Sequence, residues 1–160
     1  MPSRLVLIDN TALTNFALIN RTDLILDLWG KTCATTTAVM AEYQAGVVGS
    51  GLPAHSWDEL AQLTLRPVEQ AFADQLLPQL GAGERSCIAV AVHRQGLFVS
   101  DDNNARHEAQ RHGVTITGTI GILVLNVRQA NLTLTEGNAI LASLIALGYR
   151  SPVTALDDLL

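Results

Sequence analysis

At 160 residues, 48% hydrophobic and 16% charged, the chain is too apolar to stay disordered and long enough for one substantial core, but short for two. A formal net charge of −5 argues against a broad basic surface and against duplex binding driven by phosphate neutralisation alone. Aliphatic runs such as Ile122-Leu123-Val124-Leu125 fall far short of a membrane span, so a soluble protein is expected.

Met1-Pro2-Ser3-Arg4 leads directly into Leu5-Val6-Leu7-Ile8, which ends at Asp9 without a small-residue cleavage site. A cytoplasmic location and a single domain over residues 1–160 are the expectation. Cys33 and Cys87 are far apart and outside any C-x-x-C pair, which predicts buried free thiols rather than a zinc or redox site.

In chain order, residues 4–8 read as a buried parallel strand, an uninterrupted aliphatic run bounded by polar residues. A helix over 11–19 and a second short helical turn over 23–29 follow. Residues 31–35 form the next predicted strand. Thr36 or Thr37 then caps a helix carried by Val39, Met40 and Tyr43 and stopped at Gly46, with 47–53 as a loop. A short strand over 63–66 and a helix from 68 to about 80 come next. Gly81-Ala82-Gly83 breaks the chain ahead of a helix over 84–95. The remaining elements are a strand over 97–100, a helix over 103–112 ended by Gly113, a strand over 114–117, a helix over 119–129 and an amphipathic helix over 138–147. Strands alternating with helices predict an α/β three-layer sandwich with a central parallel sheet, whose ligands gather at the carboxyl ends of the strands.

That rule places Asp9 and the Asp101-Asp102 pair on one rim. Each has an ordinary structural role available, because Asp is a favoured helix N-cap. Glu84 at a helix start is stabilised by the macrodipole, and Glu42 stands alone in an apolar helical segment. Separately these acids say little. Together they can converge on one centre, where like charges make one another harder to ionise unless a cation joins them. Hard Mg²⁺ or Mn²⁺ takes oxygen ligands, and lowers the pKa of a bound water while neutralising charge on a scissile phosphate. Successive strand side chains point to opposite faces, so Asp101 and Asp102 have different roles. Asp101 is assigned to the cation, and Asp102 to a helix cap or an additional outer role.

The ordered segments "LVLIDNTAL", "TTTAVMAEYQAG", "LGAGERSCIAVAV" and "LFVSDDNNARHEAQRHGVTITGTIGIL" resemble the PIN-domain ribonuclease family, in particular its prokaryotic branch with G-x-G-E, D-D-x-x-A-R and G-T-x-G-x-L elements. The tail "NAILASLIALGYRSP" extends the resemblance over nearly the whole chain. It implies a PIN-like fold in which Asp9, Glu42, Glu84 and Asp101 are the catalytic metal-binding acids, with Asp102 a further ligand or cap. It also implies Mg²⁺ or Mn²⁺ as cofactor and cleavage of single-stranded RNA as the activity. Many members are toxins paired with an antitoxin protein, and many are homodimers; both become expectations for partners here. Thr11 matches the small hydroxyl residue that follows the first acid. Arg85, Arg106 and His107 stand near the acids as candidate phosphate contacts, although Arg106 is also placed for an i,i+4 pair with Asp102.

Two other acid-bearing α/β classes fail on particular residues. A haloacid-dehalogenase-type phosphatase needs a second Asp two residues after the first, where Thr11 stands; a response-regulator receiver needs a late lysine, and Lys31 is the one lysine in the chain. The remaining rival is a PIN-like binding or regulatory module with little or no nuclease activity, which keeps the same fold and acids.

Overall fold

The computed structural model describes residues 4–54 and 56–160. Residues 1–3, read above as leading directly into the first strand, lie outside them. Five parallel strands form one sheet in the order β3-β2-β1-β4-β5. These are β1 (Val6–Ile8), β2 (Cys33–Thr36), β3 (Ala61–Leu63), β4 (Leu97–Val99) and β5 (Thr115–Thr117). The aliphatic run of β1 is buried at every residue because it lies at the centre of the sheet, covered on both faces.

Strand register decides where the acids emerge. Ile8 aligns with Val99, and Val99 with Thr117, so the chain leaves all three strands at the same level. The ladder continues one step further, with Asp9 N donating to Val99 O at 3.0 Å and Ser100 N to Thr117 O at 3.0 Å. Asp9, Asp101 and the Gly118-Thr119 turn therefore meet at one edge.

Among the described residues eight α-helices connect and cover the sheet: α1 (Asn10–Leu18), α2 (Asp23–Trp29), α3 (Thr37–Ser50), α4 (Pro67–Asp74), α5 (Ala82–Arg94), α6 (Asn103–Arg111), α7 (Thr119–Arg128) and α8 (Leu134–Ala146). Helix α5 runs over β1, β2 and β4 and packs with α3, α4 and α6, while α2, α7 and α8 form a second group. Phe16, Tyr43, Trp57, Ile88, Phe98 and Leu123 are among the fully buried side chains that join these layers. Each such side chain contributes about 1.5–3 kcal/mol by leaving water.

Several predicted boundaries move. Helix α3 continues through Gly46 to Ser50 and turns off at Gly51, whose φ of 70° is the left-handed conformation that closes a helix; residues 47–50 are helical rather than loop. Helix α4 ends at Asp74 instead of near residue 80, consistent with Pro78 disfavouring helical backbone at Leu77. Helix α5 begins at Ala82, which puts Gly83 inside its first turn. The short strand expected over 63–66 lies at Ala61–Leu63. Helix α8 starts at Leu134, four residues before the predicted 138, because Thr133 and Glu136 form a reciprocal capping box. No helix among the described residues is long and apolar enough to cross a membrane.

Candidate active site

Asp9 occupies the turn between β1 and α1 and caps the helix. Its Oδ1 accepts from Thr11 N at 3.0 Å, Thr11 Oγ1 at 2.6 Å and Ala12 N at 3.4 Å. Its Oδ2 is equally buried and has no hydrogen-bond partner among the described residues. Capping thus consumes one oxygen and leaves the other. Burial pushes the Asp9 carboxyl up to about 7; the Ser100 and Thr11 hydroxyls and the Ala12 amide restrain the shift, and the Asp101 charge adds to it. The same Thr11 hydroxyl accepts from Asp101 N at 3.0 Å. One hydroxyl therefore locks Asp9 to the backbone of the other aspartate.

The Asp101 carboxylate faces α7. Its Oδ1 accepts from Thr119 N at 2.8 Å, and its Oδ2 accepts from Thr119 Oγ1 and from Asn15 Nδ2, the latter at 3.1 Å. Gly118 makes this approach possible: a Cβ there would lie 2.6 Å from Asp101 Oδ1, 2.9 Å from Arg106 Nη1 and 3.0 Å from the Ser100 carbonyl oxygen. The glycine and threonine of the G-T-I-G run are both explained by this one carboxylate. Asp102 turns elsewhere, its Oδ1 capping α6 through Ala105 N at 2.8 Å. Arg106 is not held by Asp102 as the i,i+4 spacing predicted; its Nη1 donates to Ser100 O at 2.8 Å, because Asp102 is aimed at the helix backbone.

The glutamates arrive from helices. Glu42 on α3 reaches the first turn of α5, where its Oε1 accepts from Gly83 N at 2.9 Å. A Cβ on Gly83 would fall 2.6 Å from Glu42 Oε2, so the second glycine of G-x-G-E clears space for this carboxylate. Glu84 accepts from Gly81 N at 3.1 Å through Oε2 and is half-buried. Burial raises its pKa, with the Gly81 N–H opposing and the charges of Asp102 and Glu42 adding to the rise. These charges place Glu84 within electrostatic reach of Glu42 and of Asp102.

The other predicted residues fall at its margins. Arg85 lines a depression of about 170 Å³ with Thr37, Gln70 and Ser86, and its Nε is buried without a partner among the described residues. His107 is exposed on α6, and it is Arg106 that lines the cleft beside Asp101. Thr11 spends its hydroxyl between the two aspartates. Sequence reasoning did not single out Ser100, Asn15, Thr119, Tyr149 or Arg150. Asn15 had no visible signal, because its partner is 86 residues away, whereas Thr119 stood in the G-T-x-G-x-L element, which marked the run without giving the threonine a partner. Tyr149 is half-buried; burial raises its phenol, and the charge of Asp101 adds to the rise while Arg106 opposes it. The thiols are free and buried as expected, Cys33 pushed up to about 12 by burial and Cys87 raised as well, which leaves them as inert packing groups.

Among the described residues no group of three or more His, Cys, Asp or Glu side chains is drawn together as a ready coordination sphere. The donor chemistry nonetheless suits a hard divalent cation: the acids offer oxygen alone, and Asp9 Oδ2 is a buried oxygen that accepts no hydrogen bond among the described residues, with the Ser100 hydroxyl acting on the carboxyl as a further polar influence beside Thr11 and Ala12.

A parallel five-stranded sheet flanked by helices, with Asp9 and Asp101 just past the carboxyl ends of its central strands, defines a three-layer α/β sandwich. The family model described as PIN domain matches residues 5–160, and the chain belongs to that family. No curated protein gives a significant match. Among solved structures, a PilT N-terminus domain protein from the hyperthermophilic archaeon Sulfolobus solfataricus P2 is similar at a TM-score of 0.50 and 14% identity, over 93% of this chain and 98% of that one. That likeness speaks to the fold.

Proposed function

We propose that the protein is an Mg²⁺- or Mn²⁺-dependent endoribonuclease that hydrolyses phosphodiester bonds in single-stranded RNA. The observation that carries this reading is the buried Oδ2 of Asp9, which accepts no hydrogen bond among the described residues and sits in a turn joined to Asp101 through the Thr11 hydroxyl and through the charge of Asp101. Family membership supports it, since PIN domains are generally nucleases. Asp9 and Asp101 would hold the cation, with Glu42 and Glu84 beside them as direct or water-bridged ligands. When bound, the cation supplies an activated water and offsets charge on the phosphate. The chain's own part is to keep Asp9 in a dry turn through the Thr11 hydroxyl, to fix Asp101 against Thr119 and Asn15, and to present Arg106 beside the cleft. An antitoxin partner and a homodimer belong to the same proposal.

The test is cleavage of a labelled single-stranded RNA by the wild type with Mn²⁺, with Mn²⁺ chelated, and by Asp9→Asn. Cleavage in the first arm alone is expected. RNA binding without cleavage in every arm would instead favour the binding module.

A further inference from the structure

Beyond α8 the chain turns back toward the site and is tied down. Leu156 is fully buried and its N–H donates to Asn138 Oδ1 at 2.8 Å. Asn138 Nδ2 donates to Asp157 Oδ1 at 3.0 Å, and Arg128 Nη2 to Leu159 O at 3.0 Å. This fixed segment closes one side of a cleft of about 710 Å³ that Asp101, Arg106 and Gly118 line as well, over an apolar lining of Ile116, Ile120 and Val153. A second depression, of about 370 Å³, lies where α1 begins, between Asn10, Thr11, Thr14 and Asn15. Asp101, Tyr149 and Arg150 line both. A linear polymer passing from one depression to the other would cross Asp101 beside this tyrosine and arginine. Arg150 is exposed, and among the described residues nothing pairs with its guanidinium.

We propose that Tyr149 and Arg150 position the RNA strand across Asp101, the arginine gripping a phosphate next to the scissile one and the tyrosine ring supporting a base. This deepens the functional reading above and rests on it. Both side chains have the chemistry for it, since guanidinium meets phosphate in a bidentate fork and an aromatic ring stacks on any base without regard to sequence. An acidic rim repels a polyanion, so cations must flank it for the strand to approach, and Arg106 and Arg150 are the cations lining the larger cleft.

The test measures binding of a fluorescent single-stranded RNA 12-mer to the full chain by anisotropy in EDTA across a salt series, then its cleavage with Mn²⁺. Arg150→Gln should weaken binding roughly tenfold, as the loss of a charged hydrogen bond does, and reduce the salt slope by about 0.7, one phosphate on a single strand. Tyr149→Ala should weaken binding at least about fivefold, whereas Tyr149→Phe, which keeps the ring and guards against a folding defect, should bind as the wild type does. Lys31→Gln, on the turn before β2, should change nothing. Wild-type affinity and salt slope in both Arg150→Gln and Tyr149→Ala, with the wild type still cleaving, would overturn this proposal alone. A wild type that neither binds nor cleaves RNA would overturn the functional reading and this proposal with it.

Discussion

The aspartates and the glutamates of the acidic rim are held in different ways. Asp9 and Asp101 leave strands β1 and β4 on short side chains, so strand register alone delivers them, and hydroxyl and amide donors then fix Asp9 Oδ1 and both oxygens of Asp101. Glu42 and Glu84 ride on helices, reach further, and are accommodated by room: Gly83 recedes to admit one carboxylate, and a single backbone N–H meets each. The strand-end pair is thus positioned by bonds and the helical pair by space. The first arrangement is rigid and intolerant of change, and the second lets a flexible side chain shift when its surroundings do.

The largest effect should come from breaking the rigid pair. Asp101→Asn is expected to lower Mn²⁺-dependent RNA cleavage by more than the roughly 10–100-fold that loss of an outer-shell partner costs, with a circular dichroism spectrum like that of the wild type. Glu42→Gln should fall within that range. Equal losses in the two variants would erase the distinction between the pairs.

The glycines sharpen the comparison through stability. Gly118→Ala drives a methyl into Asp101, Arg106 and the Ser100 carbonyl, the last of which is backbone. Thermal and urea unfolding should show a loss of about 1–3 kcal/mol, as overpacking does. Gly83→Ala meets only the flexible end of Glu42. It should leave stability nearly unchanged and lower cleavage, since the carboxylate must move.

Protonation distinguishes the pairs as well. Asp9 rises from 3.8 to about 7 on folding, so between those values the native protein keeps a proton that the unfolded chain releases. Stability of the metal-free protein should therefore be greatest below about pH 4 on this account, and fall as pH rises toward 7. Asp9→Asn should flatten that slope and, at pH 8 in EDTA, stabilise the protein by roughly 1–3 kcal/mol by removing an unmatched buried charge. With millimolar Mn²⁺ the wild type should instead gain melting temperature as pH rises and Asp9 ionises to bind it. A melting temperature that ignores Mn²⁺ at every pH would remove the physical basis of a shared cation site.

The smallest effect belongs to Asp102. Asp102→Asn keeps a side-chain oxygen for Ala105 N, and should cost less than about 1 kcal/mol while sparing cleavage, because Asn caps nearly as well as Asp. An activity loss matching that of Asp101→Asn would show both carboxylates serving the cation.

The architecture was legible because burial writes itself into short aliphatic runs: Val6–Ile8 and Leu97–Val99 are apolar strands with acids just beyond them, and every predicted strand and helix exists, most with shifted ends and the helical turn over 23–29 with the bounds expected. The shifts have local causes. Gly46 looked like a stop, yet a helix interior tolerates a glycine at about 1 kcal/mol, and the left-handed turn falls at Gly51. The capping box at Thr133 and Glu136 was readable and would have set the start of α8 correctly. At the site, strand alternation predicted different roles for Asp101 and Asp102, yet both lie beyond the end of β4, and it is the start of α6 that turns Asp102 aside as its cap. The braces were not legible. Asn15 is an ordinary residue in helical sequence, and it acquires its bond to Asp101 only when the ends of β1 and β4 are brought to one edge.

The Thr11 hydroxyl also fixes how the site should come apart. Its bond from the Asp101 amide spans 90 positions of chain and sits beside the central β1–β4 pairing, whereas β3 is a half-exposed edge strand. Fraying at β3 can proceed while that amide stays shut away from solvent. In native-state hydrogen exchange the Asp101 N–H should therefore be among the slowest to take up deuterium, opening only when the whole sheet does, and Thr11→Val should let it exchange through a smaller, local fluctuation.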